Sequence, residues 1–319
     1  MIDAHVHFWD PERLPVDWIS GDAILDRRLG PADYTVDALD VDAVVAVEGN
    51  VAVGRAVDEA AWLAGLGGRP RIAAIVAWSP LDGSAPLGPH LDLLAANPLV
   101  RGVRRNIQGE RDPGFCLDPG WLDRLRMVGA RGMTFDVCVT HDQLASVAEM
   151  VRRCPGTQFV LDHLGKPAVL SGRLDPWRTD LRALAALPNV VCKVSGLATE
   201  ADPASWRAAD LEPYVAHALD VFGEDRVLFG SDWPVVRLAG GWRRWADALA
   251  GLGGRLGGRA RQALGRERGA RVPDRVMSVI AEVVARDVRF PAAPAATTPR
   301  RRTCTRTRSC RASKSRFCA

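Results

Sequence analysis

No Cys-x-x-Cys pair occurs anywhere in the 319 residues, and the seven cysteines are an odd number. Cys116, Cys138, Cys154 and Cys192 are scattered through the body, while Cys304, Cys310 and Cys318 crowd into the last sixteen residues. That spacing excludes a zinc-finger module and a disulfide framework, and it reads as reduced thiols. Long apolar runs are missing too: Val44-Val45-Ala46-Val47 is far too short to cross a bilayer. No basic segment followed by an apolar one opens the chain. A soluble, cytoplasmic protein without a membrane partner is therefore expected. No Gly-rich dinucleotide turn follows the first apolar run, which argues against a doubly wound open sheet.

Acidic residues are absent from Pro291 to Ala319, a stretch holding eight Lys or Arg. The formal charge of +4 comes from 42 basic and 38 acidic residues. Without those eight, 34 basic residues face 38 acidic ones, and the body is near −4. A basic nucleic-acid-binding surface is not implied for the folded part, so nucleic acid is not an expected partner. Residues 291–319 are rich in Pro, Thr and Arg and are expected to be a disordered basic tail. Translation of GC-rich DNA out of frame gives such a composition, and a tail that binds an acidic surface is the alternative. Residues 253–271 hold six glycines and six arginines without a helical stripe, and residues 271–290 are expected to form an amphipathic helix.

What is present is an ordinary globular body, 47% hydrophobic and 25% charged. Short β-branched runs recur along it: Ile2–Val6, a run ending near Glu48, Arg71–Trp78, Val100–Ile107, Met133–Val139, Thr157–His163, Asn189–Gly196 and Arg226–Trp233. Helical patterns lie between them, over Ala56–Leu66, His141–Cys154, Trp177–Leu187 and a stretch ending at Gly223. Thr140 with Gln143 reads as a capping box, and Pro213 should kink or split the last of these helices. Eight strands alternating with helices predict a (β/α)8 TIM barrel over residues 1–270, with its last helix open to question.

In such a barrel the chemistry sits at the C-terminal ends of the strands. His5 and His7 close the first strand, and alternate positions on a strand share a face. Glu48 closes the second and Arg104 and Arg105 lie in the fourth. His141 follows the fifth, His163 closes the sixth, Lys193 lies in the seventh and Asp232 ends the eighth. Four of the six histidines thus fall at the mouth, whereas His90 and His217 read as structural. Two neighbouring imidazoles suit a borderline cation such as zinc, although a lone His-x-His is more often packing. Glu48 has a duller reading as a helix cap, and His141 as the first residue of its own helix. Arg104 and Arg105 are adjacent, so one faces the interior and the other the helices. Trp9, Trp18, Trp78 and Trp233 lie near strand ends, where they either stack on a sugar ring or fill the rim.

IDAHVHFWD, GVRRNIQGE, FDVCVTHDQL, LDHLGKP, CKVSGL and FGSDWPV, in that order from Met1 to about Leu249, resemble the amidohydrolase-superfamily lactonases. The branch they resemble holds L-fuconolactonase, L-rhamnono-lactonase and 2-pyrone-4,6-dicarboxylate lactonase. The resemblance implies a distorted barrel that hydrolyses a lactone ring, with His5, His7, His163 and Asp232 at its site. Arg104, Arg105 and Asn106 stand where binuclear relatives carry a bridging ligand, so a single divalent ion is expected, with zinc the inferred metal and dispensable in some members. His5, His7, Glu48, His163 and Asp232 form the candidate ligand set. Asp232 and His163 are the candidate catalytic pair, with Asp232 taking a proton from the attacking water. Arg104, Arg105, Gln108, His141, Lys193 and Trp233 are candidate substrate contacts. The alternatives are a metal-dependent decarboxylase of the same superfamily and a truncated barrel without catalysis. A homodimer is the assembly to test for.

Overall fold

The computed structural model describes residues 2–37, 41–52 and 54–256. Eight parallel strands follow one another in sequence order: β1 (Ile2–Val6), β2 (Ala43–Val47), β3 (Arg71–Trp78), β4 (Val100–Arg104), β5 (Thr134–Val137), β6 (Gln158–Leu161), β7 (Val190–Val194) and β8 (Val227–Phe229). Val6 meets Trp233 in a parallel bridge, which brings the last strand back to the first. The expected barrel is present. β1 and β3 coincide with the expected runs, whereas β4 to β8 stop short of theirs, because the residues just beyond them turn away to form the mouth.

Alternation along the strands divides the core. Ile2, Ala4, Ala43, Val45, Val47, Ala74, Val76, Val160 and Leu228 fill the barrel interior, whereas Val44, Ala46, Ile75, Val103 and Phe135 face the helices. In Leu144–Arg153 the buried stripe is Leu144, Val147, Ala148, Met150 and Val151. The Thr140–Gln143 capping box forms, opening a short 3-10 turn ahead of that helix. The helix Ala208–Phe222 runs unbroken through Pro213, contrary to a split. Pro213 and Ala209 are both exposed, so the carbonyl that loses its partner at Pro213 lies on the solvent side of the helix.

The last described helix, Gly241–Leu256, continues four residues past Leu252 into the glycine- and arginine-rich stretch read as non-helical. It buries Trp242, Trp245, Leu249 and Leu252. Trp242 Nε1 donates to Asp3 Oδ2 (3.2 Å) and Trp245 Nε1 to the Gly230 carbonyl (2.9 Å), tying β1 and the end of β8 to one helix. The expected helix over residues 271–290 and tail over 291–319 lie outside the described residues. Cys116, Cys138, Cys154 and Cys192 are buried free thiols. Among the described residues no helix is long and apolar enough to cross a membrane.

Candidate active site

A bulge in β1 between Asp3 and Val6 turns His5 toward the barrel interior, and His7 follows just past the strand. Both rings are buried, with their Nε2 atoms 3.1 Å apart. His7 Nδ1 lies 3.0 Å from the Val47 carbonyl and 2.9 Å from that of Glu48. Carbonyls only accept, so His7 Nδ1 carries a proton, and the tautomer this selects has its lone pair on Nε2. His163 Nδ1 sits 2.8 Å from Ser195 Oγ, and His5 Nδ1 3.2 Å from Asp162 Oδ1. Each imidazole is therefore anchored at Nδ1. All three Nε2 atoms converge on Asp232 Oδ1, at 3.4 Å from His7, 3.7 Å from His5 and 3.9 Å from His163.

Unusual backbone achieves this convergence. Asp232 (φ 60°), His163 (φ 53°), Leu164 (φ 54°) and Lys166 (φ 45°) all occupy the left-handed region. Each costs a non-glycine residue about 1–2 kcal/mol, which concentrates strain at the site. Surrounding bonds hold it: the Asp232 amide donates to the His5 carbonyl (2.9 Å), and the Ser231 amide donates to Asp3 Oδ1 (2.8 Å). Tyr34 donates its hydroxyl to Asp3 Oδ2 (2.8 Å). Two glycines make room. A Cβ at Gly196 (φ 65°) would stand 2.5 Å from His163 Nδ1, and one at Gly230 would stand 2.8 Å from His5 Cβ.

Beneath the histidines lies a buried ionic network. Arg104 faces inward, its Nε 2.6 Å from Glu48 Oε1 and its Nη1 3.2 Å from Asp162 Oδ2. Lys193 Nζ lies 2.5 Å from Asp136 Oδ2 and 2.9 Å from Asp162 Oδ1. Burial pushes Asp162 up, but Lys193, His5 and Arg104 together hold it well below the usual carboxylate range. Burial lifts Asp136 to about 6 despite Lys193. Burial and the Glu48 carboxylate lift Glu59 to about 8. At the site itself, burial lowers His5 well below its ordinary value and His163 to about 4, so both rings are neutral at neutral pH. Burial would raise Asp232, but the His163, His7 and His5 rings that face it outweigh burial and hold its carboxyl well below the usual carboxylate range.

Residues 2–267 match the amidohydrolase family. The chain belongs to that family. This amidohydrolase is 35% identical to an L-fucono-1,5-lactonase of Burkholderia ambifaria over 77% of this chain and 86% of that one. It is 38% identical to an L-fucono-1,5-lactonase of Burkholderia multivorans over 77% of this chain and 88% of that one. A crystal structure of an amidohydrolase from Burkholderia multivorans with bound zinc superimposes with a TM-score of 0.70 at 37% identity, covering 82% of this chain and 94% of that one.

Of the candidate ligands, His5, His7 and Asp232 offer one atom each within 4.8 Å of one another, as do His5, Asp162 and His163. Asp162 is engaged by Arg104 and Lys193, which favours the first set. Glu48 falls in neither group: its carboxylate pairs with Arg104 and accepts from the Asn50 amide (2.5 Å). Arg104 is the inward member of its pair, but its fork is filled by Glu48 and Asp162, leaving it no free face for substrate. Arg105 points outward from it, pairs with Asp82 and Glu110, and lies over the Phe115 ring. Lys193 is a buried counter-ion below the histidines rather than a substrate contact. The Trp233 indole is fully buried against Phe8 and Tyr34 and offers no ring to solvent. Gln108 and His141 are half-buried, the first near Cys138 Sγ (3.8 Å) and the second 3.0 Å from Arg173 Nη2. His90 and His217 each bond a backbone carbonyl, as structural histidines do.

Sequence reading missed Asp3, Asp136, Asp162, Lys166 and Ser195. Each stands inside a quoted motif, and a charged residue in an otherwise apolar strand run was the available signal for Asp136 and Asp162. Lys166 lies 3.6 Å from Glu200 on the same left-handed turn as His163.

Proposed function

We propose that this amidohydrolase opens the ring of a sugar-acid lactone by hydrolysis. The observation that carries the reading is the convergence of three Nδ1-anchored imidazoles on Asp232 Oδ1 at a barrel mouth. The L-fucono-1,5-lactonases at 35% and 38% identity support the substrate class. Asp232 is ionised and is the base that accepts a proton from water as that water attacks the lactone carbonyl carbon. Charge then develops on the carbonyl oxygen. His163 Nε2 and Lys166 Nζ rise from one turn to meet it, with Ser195 fixing the His163 ring. The proton held by Asp232 passes to the departing ring oxygen, and the product is the open hydroxy acid.

His5, His7 and Asp232 also fit a divalent ion. Two neutral nitrogens and a carboxylate are the donor set zinc prefers, and His7 presents its Nε2 lone pair by virtue of its two carbonyl partners. When bound there, such an ion supplies Lewis acidity toward the carbonyl oxygen. The test is an assay of the purified protein on L-fucono-, L-rhamnono- and D-galactono-lactones, followed by proton release. Ring opening of at least one supports the reading. No turnover of any lactone, together with carbon dioxide release from an aromatic or pyrone acid, overturns it.

A further inference from the structure

The three imidazoles differ at Nδ1. His7 sees only carbonyl acceptors and is fixed in one tautomer. His163 sees a hydroxyl, which serves either way. His5 alone has both kinds of partner at once. Lys193 Nζ, which can only donate, lies 3.2 Å from His5 Nδ1, and Asp162 Oδ1, which only accepts, also lies 3.2 Å away. We propose that Lys193 and Asp162 let His5 exchange tautomers, making Lys193 a positioning residue for the site; this rests on the reading that the site holds a cation.

In one arrangement the Lys193 ammonium donates to Asp136 Oδ2 and His5 Nδ1 and stands as an ion pair 2.9 Å from Asp162 Oδ1. His5 then carries its proton on Nε2 and donates it to the His7 Nε2 lone pair 3.1 Å away. In the other arrangement the proton sits on Nδ1 and is donated to Asp162 Oδ1, a buried oxygen 3.2 Å away with no hydrogen-bond partner as the side chains stand, which frees His5 Nε2 as a lone pair toward the cation. One N–H bond is lost and one is gained on the same ring, so the proton count is unchanged.

The second arrangement leaves one Lys193 proton without His5. A cavity of about 30 Å³ lies directly below, lined by Lys193, Asp136, Thr134, Arg101 and apolar side chains. That is room for water, which needs about 10–15 Å³. Asp136 Oδ1 is buried there with no hydrogen-bond partner in the protein. Water in this cavity accepts a hydrogen bond from the Lys193 N–H that His5 no longer takes, and donates one to Asp136 Oδ1. Each arrangement thus gives His5 Nδ1 a partner, Lys193 in the first and Asp162 in the second.

Protein labelled with 15N-histidine is compared by NMR after chelation and after addition of zinc, with His5 signals assigned by their loss in His5→Gln. The expected result is Nε2–H after chelation and Nδ1–H with zinc. The same tautomer in both samples overturns the proposal. The charge-balanced Lys193→Met, Asp136→Asn double variant is expected to hold Nδ1–H in both samples, and a persisting exchange there also overturns it. If that variant fails to fold by circular dichroism, the unsubstituted protein decides alone. Failure to hydrolyse any lactone would remove the proposed function and leave a measured exchange standing. A fixed His5 tautomer in a working lactonase removes only the exchange.

Discussion

Replacing Arg104 by methionine probes the ionic floor of the site. Arg104 is buried and joins Glu48, at 2.6 Å, to Asp162, at 3.2 Å. Without it Asp162 keeps Lys193 and His5, but Glu48 loses its ion-pair partner while its neighbour Glu59 remains close. Breaking a buried pair by removing one partner costs about 3–5 kcal/mol. In a domain of this size each kcal/mol moves the melting temperature by about 2–4 °C, so a fall of roughly 6–20 °C is expected by calorimetry. The Glu48→Gln, Arg104→Met double variant removes the stranded charge and is expected to recover at least about 1–2 kcal/mol. A single variant melting within about 2 °C of the unsubstituted protein, or a double variant no better than the single, would refute the reasoning.

Gly196→Ala places a methyl group 2.5 Å from His163 Nδ1 at a left-handed position. It is expected to cost about 1–2 kcal/mol in denaturant unfolding and to lower kcat at least tenfold by displacing that ring. Glu59 is lifted to about 8 by burial and by Glu48, so the folded state holds a proton that the unfolded chain releases above its ordinary carboxylate value. Its contribution to stability is full below about pH 4.5 and is lost as pH rises toward 8. Urea unfolding at pH 5 and pH 8 should show Glu59→Gln flattening this decline by roughly 2–5 kcal/mol, and an unchanged slope contradicts the assignment. His163, lowered to about 4, acts in the opposite sense: stability falls as pH drops from about 6.5 to 4, and His163→Gln is expected to remove that loss. Treatment with chelator followed by zinc should leave zinc on the unsubstituted protein and not on His7→Ala, as measured by elemental analysis.

Much of the barrel was legible because its strands are short β-branched runs bounded by turn residues, and their period is local. The ends were less so. His163 and Asp232 lie two and three residues past β6 and β8, on left-handed turns that no hydrophobic pattern encodes. The histidines and Asp232 stood out as chemistry-bearing residues at predicted strand ends. What Arg104, Lys193 and Glu48 do was not legible, since each is defined by a partner dozens of residues away: Glu48 and Arg104 are 56 apart, Lys193 and His5 188 apart. An inward lysine reads from sequence as a substrate contact. Only the packing of β5, β6 and β7 side by side shows it enclosed by two carboxylates. Trp233 was misplaced for a similar reason, because the β1–β8 closure buries the indole that a free strand end would expose.

The most direct measurement is lactone hydrolysis by Asp232→Asn, an isosteric change that removes the proton acceptor on which three imidazoles converge. A loss of about 10²–10⁴-fold in kcat, with folding unchanged by circular dichroism, is the expected result. Hydrolysis at the unsubstituted rate would contradict the assignment of Asp232 as the base.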